Sequence, residues 1–154
     1  MSRVPDKKIT ISAQALELDA LNGLAHANQG ETGAVVTFTG AVRATEEDNG
    51  LTGMTLEHYP GMTETQLAQI LDDAARRWRL NRMIVVHRVG FLQPGEPIVF
   101  VATCSLHRKE AFAAAEFIMD YLKQKATFWK KEHFGSRAHW VEAKASDAEA
   151  AERW

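Results

Sequence analysis

Cysteine is almost missing from this chain. Cys104 is the only one in 154 residues, which excludes an internal disulfide and a thiolate metal cage. It stands in the apolar run IVFVATCS, where a buried structural thiol competes with a nucleophile and the apolar neighbours favour the former. Metal spacing is missing too. His26, His58, His87, His133 and His139 form no ligand pattern, and there is no HExxH. GxGxxG, a Walker loop and a GxSxG elbow around Ser105 are likewise lacking, so dinucleotide, P-loop and triad-hydrolase readings have nothing to rest on. No apolar run is long enough to span a bilayer, and MSRVPDKKITIS has no signal-peptide core, which predicts a cytoplasmic chain without a membrane segment. The formal charge is only -2, so no global field draws nucleic acid or an acidic membrane. Any anion must be held by a local cluster.

What is present is ordinary in bulk and informative in order. Hydrophobic residues make up 45% and charged residues 25%, values of a globular protein with its own core, and no repeat or linker divides residues 1–154. KITIS (Lys8–Ser12) alternates as a strand, and Ser12 is placed to cap a helix carrying Leu16, Leu18, Leu21 and Leu24 that ends near Asn28-Gln29-Gly30. GAVVTFTGAV (Gly33–Val42) is a β-branched strand, followed by a polar loop from Arg43 to Gly53 and the strand MTLEHY. Thr63 with Gln66 reads as a capping box for a helix to about Arg79, with Leu67, Ile70, Leu71, Ala74, Ala75 and Trp78 at helical spacing. RMIVVHRVGFL and PIVFVATCS are strands flanking the turn Gln93-Pro94-Gly95-Glu96. A second long helix starts near His107 with Ala111, Ala115, Ile118, Met119, Leu122 and Ala126 on one face. The strand AHWVEAK and a short charged helix follow. Strands broken by single helices predict an α+β fold with a mixed or antiparallel sheet and two long helices.

Three places carry candidate chemistry. FIMDYLKQKATFWKK (Phe117–Lys131) sets Lys123 and Lys130 seven residues apart; on an unbroken helix both would leave from one face. A lysine beside apolar surface loses hydration and becomes a usable nucleophile or proton donor, and a pair attracts an anion. The same pattern also fits a cationic helix end, and Lys125 and Lys131 share the neighbourhood. His107-Arg108, at the start of the second long helix, joins free backbone N–H groups to a guanidinium fork and an imidazole, a cradle for phosphate or carboxylate; a solvated first turn capped by Ser105 is the bland alternative. Arg43 ends the strand VVTFTGAV and either reaches a cleft or faces solvent, while Phe38 reads as core or pocket wall.

The blocks GAVVTFTGAVR, MTLEHYPGMTE, VVHRVGFLQPGEPIVF, HR, FIMDYLK, FWKKE and WVEA, in this order, resemble the large, catalytic subunit family of molybdopterin synthase from about Ile9 to Trp154. That resemblance implies an α/β-hammerhead fold. It also implies a homodimer whose outer ends each carry a small ubiquitin-like sulfur-carrier subunit, a heterotetramer in all. The carrier's C-terminal Gly-Gly thiocarboxylate would enter the pocket, and two sulfurs would pass to cyclic pyranopterin monophosphate to form the dithiolene of molybdopterin, with no metal and no resident cofactor. By the same resemblance Lys123 and Lys130 are the catalytic amines. Arg43, His107 and Arg108 hold the phosphate-bearing pterin, with Phe38 and Met119 as candidate walls. Two positions depart from the pattern: Ala41 stands where many relatives have lysine, and Lys144 where arginine is frequent, replacing a bidentate contact by a point charge. Two rival functions remain open, a non-catalytic module that only docks a ubiquitin-like partner and a phosphate-ester hydrolase.

Overall fold

A computed structural model of the chain describes residues 4–28, 30–44, 50–141 and 145–154, the side chains of 145–147 aside. The long apolar runs decide the architecture. Strand β4 (Leu80–Arg88) carries Met83 and Val85 on one face and Ile84 and Val86 on the other, and all four are buried. Strand β6 (Pro97–Ser105) behaves the same way, with Val99 and Val101 facing opposite to Phe100 and Ala102. A strand covered on both faces needs continuous rather than alternating hydrophobicity, as these two show. With β1 (Asp6–Ser12) and β2 (Ala34–Ala41) they form a sheet ordered β1-β4-β6-β2, in which only the β1–β4 pair is parallel.

Two helices cover one face of this sheet. In α2 (Met62–Arg77) the buried stripe is Leu67, Ile70, Leu71 and Ala74; in α3 (Arg108–Lys125) it is Ala111, Ala114, Ala115, Phe117, Ile118 and Leu122. Both meet Met83, Val85, Val99 and Val101 in the main core. The other face is closed by α1 (Leu18–His26) through Ala25 and the flanking leucines. A second, all-antiparallel sheet is ordered β5-β3-β7-β8, from β3 (Gly53–His58), β5 (Gly90–Leu92), β7 (Phe128–Phe134) and β8 (Arg137–Val141); helix α4 (Ala145–Glu152) ends the chain. The architecture is thus mixed α+β with two long helices, as the element pattern predicts.

Several local expectations are corrected. Ser12 does not cap α1: its Oγ accepts the Gln14 N–H at 3.0 Å, and α1 begins at Leu18, six residues later, behind Glu17. The far end of α1 is instead closed by Arg82, whose Nη1 donates to the Leu24 and Ala27 carbonyls at 2.7 and 2.6 Å. Thr63 and Gln66 form no capping box. Gly61 is the N-cap of α2 and its N–H donates to the Glu64 carboxylate, which frees Thr63 and Gln66 for other partners. RMIVVHRVGFL is two strands, because Gly90 takes φ 91° and turns the chain out of the first sheet into the second. The expected loop at Arg43–Gly53 and strand at Ala138–Lys144 fall partly on residues 45–49 and 142–144, so Lys144 lies outside the described residues.

The largest correction is at the end of α3. FIMDYLKQKATFWKK is not one helix: α3 stops at Lys125, Ala126 is extended (φ -83°, ψ 134°), and β7 starts at Phe128. A β-branched Thr127 and two aromatics follow the helix-forming KQKA, and they pair into the middle of the second sheet between β3 and β8.

The two sheets touch where the His87 ring stacks on Phe128, centroids 3.9 Å apart at 16°. A carbonyl can only accept, so the 2.8 Å bond to the Arg88 carbonyl fixes the proton on His87 Nδ1. Burial holds the His87 pKa down at about 4, against the pull of that carbonyl bond and with a small push from His58. Between about pH 6.5 and 4 the unfolded chain therefore binds a proton that the folded one refuses, and stability falls as pH falls through that window, by on the order of 3 kcal/mol in all. Urea unfolding at pH 7 and pH 5 should show this loss, and His87→Phe should flatten it; an unchanged slope in that variant would assign the acid sensitivity elsewhere.

Candidate active site

The sequence-predicted cations fall at two ends of the first sheet. Residue Ala34 of β2 lies opposite Ser105 of β6, and Ala41 lies opposite Pro97. Arg43 therefore leaves the sheet at the Pro97 end, while His107 and Arg108 follow β6 out of the Ser105 end. Helix α3 then runs back along the sheet and returns Lys123, in its last turn, to the Pro97 end. Phe128 stacks on His87, which pairs with Val99, so β7 and Lys130 also start from that end. Arg43, Lys123 and Lys130 are thus grouped. Arg108 and Lys123 are fifteen residues apart on one helix, about 22 Å at 1.5 Å per residue, and the seven-step register from Ala34 to Ala41 gives about the same span for the sheet. One chain does not bring all five groups into a single pocket.

Each group is held by a definable local device. Arg43 is exposed, but the residue before it is anchored: the buried Val42 donates its N–H to the Glu96 carbonyl at 3.0 Å and accepts the Gly95 N–H at 2.7 Å. The Gln93–Glu96 turn that does this has proline second and Gly95 at φ 91°, the pattern of a type II turn, closed by Glu96 N–H to the Gln93 carbonyl at 3.1 Å. The Glu96 carboxylate accepts the Gln93 N–H at 2.6 Å and pairs with Arg88 at 3.1 Å; those two bonds hold its pKa below the usual carboxylate range.

His107 is the N-cap of α3 and Arg108 its first residue, both exposed. The segment before them is tied to β2, because Gly33 donates its N–H to the Ser105 carbonyl at 3.0 Å and a Cβ on Gly33 would stand 2.3 Å from the Leu106 carbonyl oxygen. Only glycine lets β2 approach so closely. Ser105 is not a simple cap. Its buried hydroxyl has one proton and two acceptors in reach, the Arg79 carbonyl at 2.7 Å and the Glu110 carboxylate at 3.0 Å, and it takes a weak 3.5 Å bond from the His107 N–H.

The lysines separate by surroundings. Lys125 lies 5.1 Å over the Tyr121 ring and Lys131 5.4 Å over Trp140. Lys131 pairs with Thr55 and Trp140 on the outer face of the second sheet, whereas Lys130 pairs with the buried Leu56 and with Val141 on the opposite face. Lys123 is exposed and stands one turn after the half-buried Met119, so the two share a helix face. Lys125 and Lys131 are thus drawn onto aromatic faces, and Lys123 makes no such contact among the described residues. Phe38 is not core: β2 is an edge strand and the residue is 42% exposed. Cys104 is buried; its thiol donates to the Ala25 carbonyl at 3.3 Å, and burial pushes its pKa up, which suits a structural thiol. Two residues outside the predicted set touch the segment between the lysines, Thr63 and Gln66, both bonded to Thr127. Their spacing of three was visible in the sequence, but it points inward to that segment and not to a helix cap.

Comparison with known proteins bears on what these groups do. The family model described as MoaE protein matches residues 11–125, a span that includes Arg43, His107, Arg108 and Lys123 and stops short of Lys130. The molybdopterin synthase catalytic subunit of Escherichia coli is 55% identical over 128 residues, 83% of this chain and 85% of that protein. Among solved structures, the molybdopterin biosynthesis MoaE protein of Burkholderia ambifaria superposes with TM-score 0.82 at 43% identity, covering 96% of this chain and 97% of that one. The molybdopterin synthase of Staphylococcus aureus gives TM-score 0.76 at 33% identity over 88% and 96% of the two chains. Sequence and fold agree over nearly the whole length, and the chain belongs to the MoaE family of molybdopterin synthase catalytic subunits.

Proposed function

We propose that residues 1–154 form one cytoplasmic catalytic domain that moves sulfur from the thiocarboxylated tail of a ubiquitin-like carrier to cyclic pyranopterin monophosphate. The observation that carries this reading is the convergence of Lys123 from a helix end and Lys130 from the neighbouring strand at one end of the first sheet. Two ammonium groups from separate rigid elements suit a reaction in which anionic charge develops. In each transfer a C–S bond forms at a pterin carbon as a C–O bond there breaks, the opened phosphate oxygen or water leaving, and water cleaves the acyl C–S bond of the tail to restore its carboxylate. A lysine that polarises the acyl carbonyl, or attacks it, and a second that neutralises charge on the pterin divide that work. Arg43, with His107 and Arg108 at a helix start rich in free N–H groups, supplies the phosphate cradle; Phe38 and Met119 offer apolar surface to the pterin ring.

The reading includes a homodimer within a heterotetramer, because His107-Arg108 and the lysines of one chain are about 22 Å apart. Reconstitution tests it. Protein mixed with thiocarboxylated carrier and cyclic pyranopterin monophosphate should form the dithiolene, and carrier with an ordinary Gly-Gly carboxylate should not. Docking of the carrier without any dithiolene would favour a binding module, and phosphate release without carrier would favour a hydrolase.

A further inference from the structure

Thr127, the second of the two residues between the end of α3 and the start of β7, is gripped by two side chains of another helix. Its N–H donates to Gln66 Oε1 at 2.7 Å, and its carbonyl accepts from Thr63 Oγ1 at 2.9 Å. Thr63 and Gln66 stand three residues apart and so project from the same side of α2. Thr63 is itself fixed: its side chain is fully buried, its Oγ1 accepts the Tyr59 N–H at 2.9 Å, and its own N–H donates to the Tyr59 carbonyl at 2.9 Å. The start of α2 is thereby locked to the end of β3 and, through the same hydroxyl, to Thr127.

Thr127 needs that grip. The β3–β7 ladder ends at the pair His58–Phe128, one residue too late to hold it, and the last bond of α3 is Ala126 N–H to the Leu122 carbonyl at 3.3 Å. Valine would fill the Thr63 site equally well if packing were all that mattered, and it would bring no buried hydroxyl to satisfy. Lys123 lies four residues before Thr127 and Lys130 three after, one on the helix and one on the strand. Their separation and relative direction are set by the backbone at Ala126-Thr127, and that joint is what the α2 side chains immobilise.

We infer that Thr63 and Gln66 are positioning residues for sulfur transfer, a clamp that holds the helix-to-strand joint so that Lys123 and Lys130 meet the reacting atoms together. The inference rests on the reading of these two lysines as the reacting amines. Misplacement of a catalytic group by about 1 Å costs on the order of 100-fold in rate. In the reconstituted assay, well below the melting temperature, Thr63→Val should therefore lower kcat by about 10- to 100-fold while KM for carrier and pterin stays within about twofold. Thr63→Ser, which keeps the hydroxyl, should recover most of the lost kcat. Gln66→Leu, which leaves the Thr63 bonds in place, carries the same expectation if Thr63→Val does not fold, and Gln66→Glu, which keeps an acceptor, should stay close to the parent. A Thr63→Val protein with a lower Tm and an unchanged kcat would overturn the clamp and leave Thr63 as scaffold. Lys123→Ala and Lys130→Ala run beside it separate the two failures. Inactive lysine variants with a fully active Thr63→Val sink the clamp alone, whereas fully active lysine variants sink the lysine reading and the clamp with it.

Discussion

Lys123→Ala should lower dithiolene formation by at least on the order of 10²- to 10³-fold, the loss that follows removal of one preorganised charge-stabilising group, and by more if the amine is also the nucleophile. The same variant should fold normally. Lys123 is exposed in the last turn of α3 and makes no ion pair among the described residues, so its stability change should stay within about 0.5 kcal/mol. As a cation near a helix C-terminus it contributes a few tenths of a kcal/mol. The checks are single-turnover rate, thermal melting and carrier affinity measured on one preparation. Loss of rate with melting and affinity preserved places Lys123 in the chemistry. Loss of all three would place it in the scaffold, and wild-type turnover would remove it from the site. Lys130→Ala is a less clean probe, because Lys130 sits half-buried on the inner face of β7 opposite Leu56 and its replacement also alters packing.

What the sequence made legible was set by how much each element depends on its own residues. The strands β4 and β6 announce themselves, since a strand buried on both faces must be apolar at every step. The stripes of α2 and α3 are equally plain because they repeat at helical spacing over many turns. The strand β7 was hidden. FWKKEHF has no clean alternation, and the residues before it, KQKA, are good helix formers; only pairing with β3 and β8 makes it a strand. The three-residue β5 was hidden for the same reason, its separation from β4 resting on one glycine at φ 91°.

The site shows the same division. Residue types at Lys123, Lys130, Arg43 and His107-Arg108 could be singled out by chemistry, but the relation between the lysines could not. Spacing of seven on a helix and a break between helix and strand both bring two amines to one region, by different geometry and with different supports. The supports, Thr63 and Gln66, carry a sequence signal that local rules assign to capping, and only the tertiary fold shows their bonds at Thr127. The exposure of Phe38 was equally invisible, because an apolar residue alternating with threonines reads the same on a central strand and on an edge.

Equal mixtures of inactive Lys123→Ala and inactive Arg108→Ala proteins, dissociated and allowed to reassort, should regain about a quarter of the wild-type activity. The figure follows from symmetry. If the His107-Arg108 pair of one chain serves the lysines of its partner, random pairing makes half the dimers mixed, and each mixed dimer has one intact pocket and one doubly damaged pocket. The basis is the separation along α3, about 22 Å between Arg108 and Lys123, with β2 and β6 giving no shorter route between the two ends of the sheet. Pairs of variants drawn from the same end supply the control. Lys123→Ala mixed with Lys130→Ala should regain nothing, since both lysines sit at the Pro97 end of one chain. Arg43 belongs to that end as well, so Arg43→Ala should complement Arg108→Ala and fail to complement Lys123→Ala. Failure of Lys123→Ala and Arg108→Ala to restore any activity, with mixed dimers shown to form, would mean that a long substrate and tail span the two ends within one chain. Restoration by the pair and silence from the controls would assign each pocket its lysines and Arg43 from one subunit and its His107-Arg108 pair from the other.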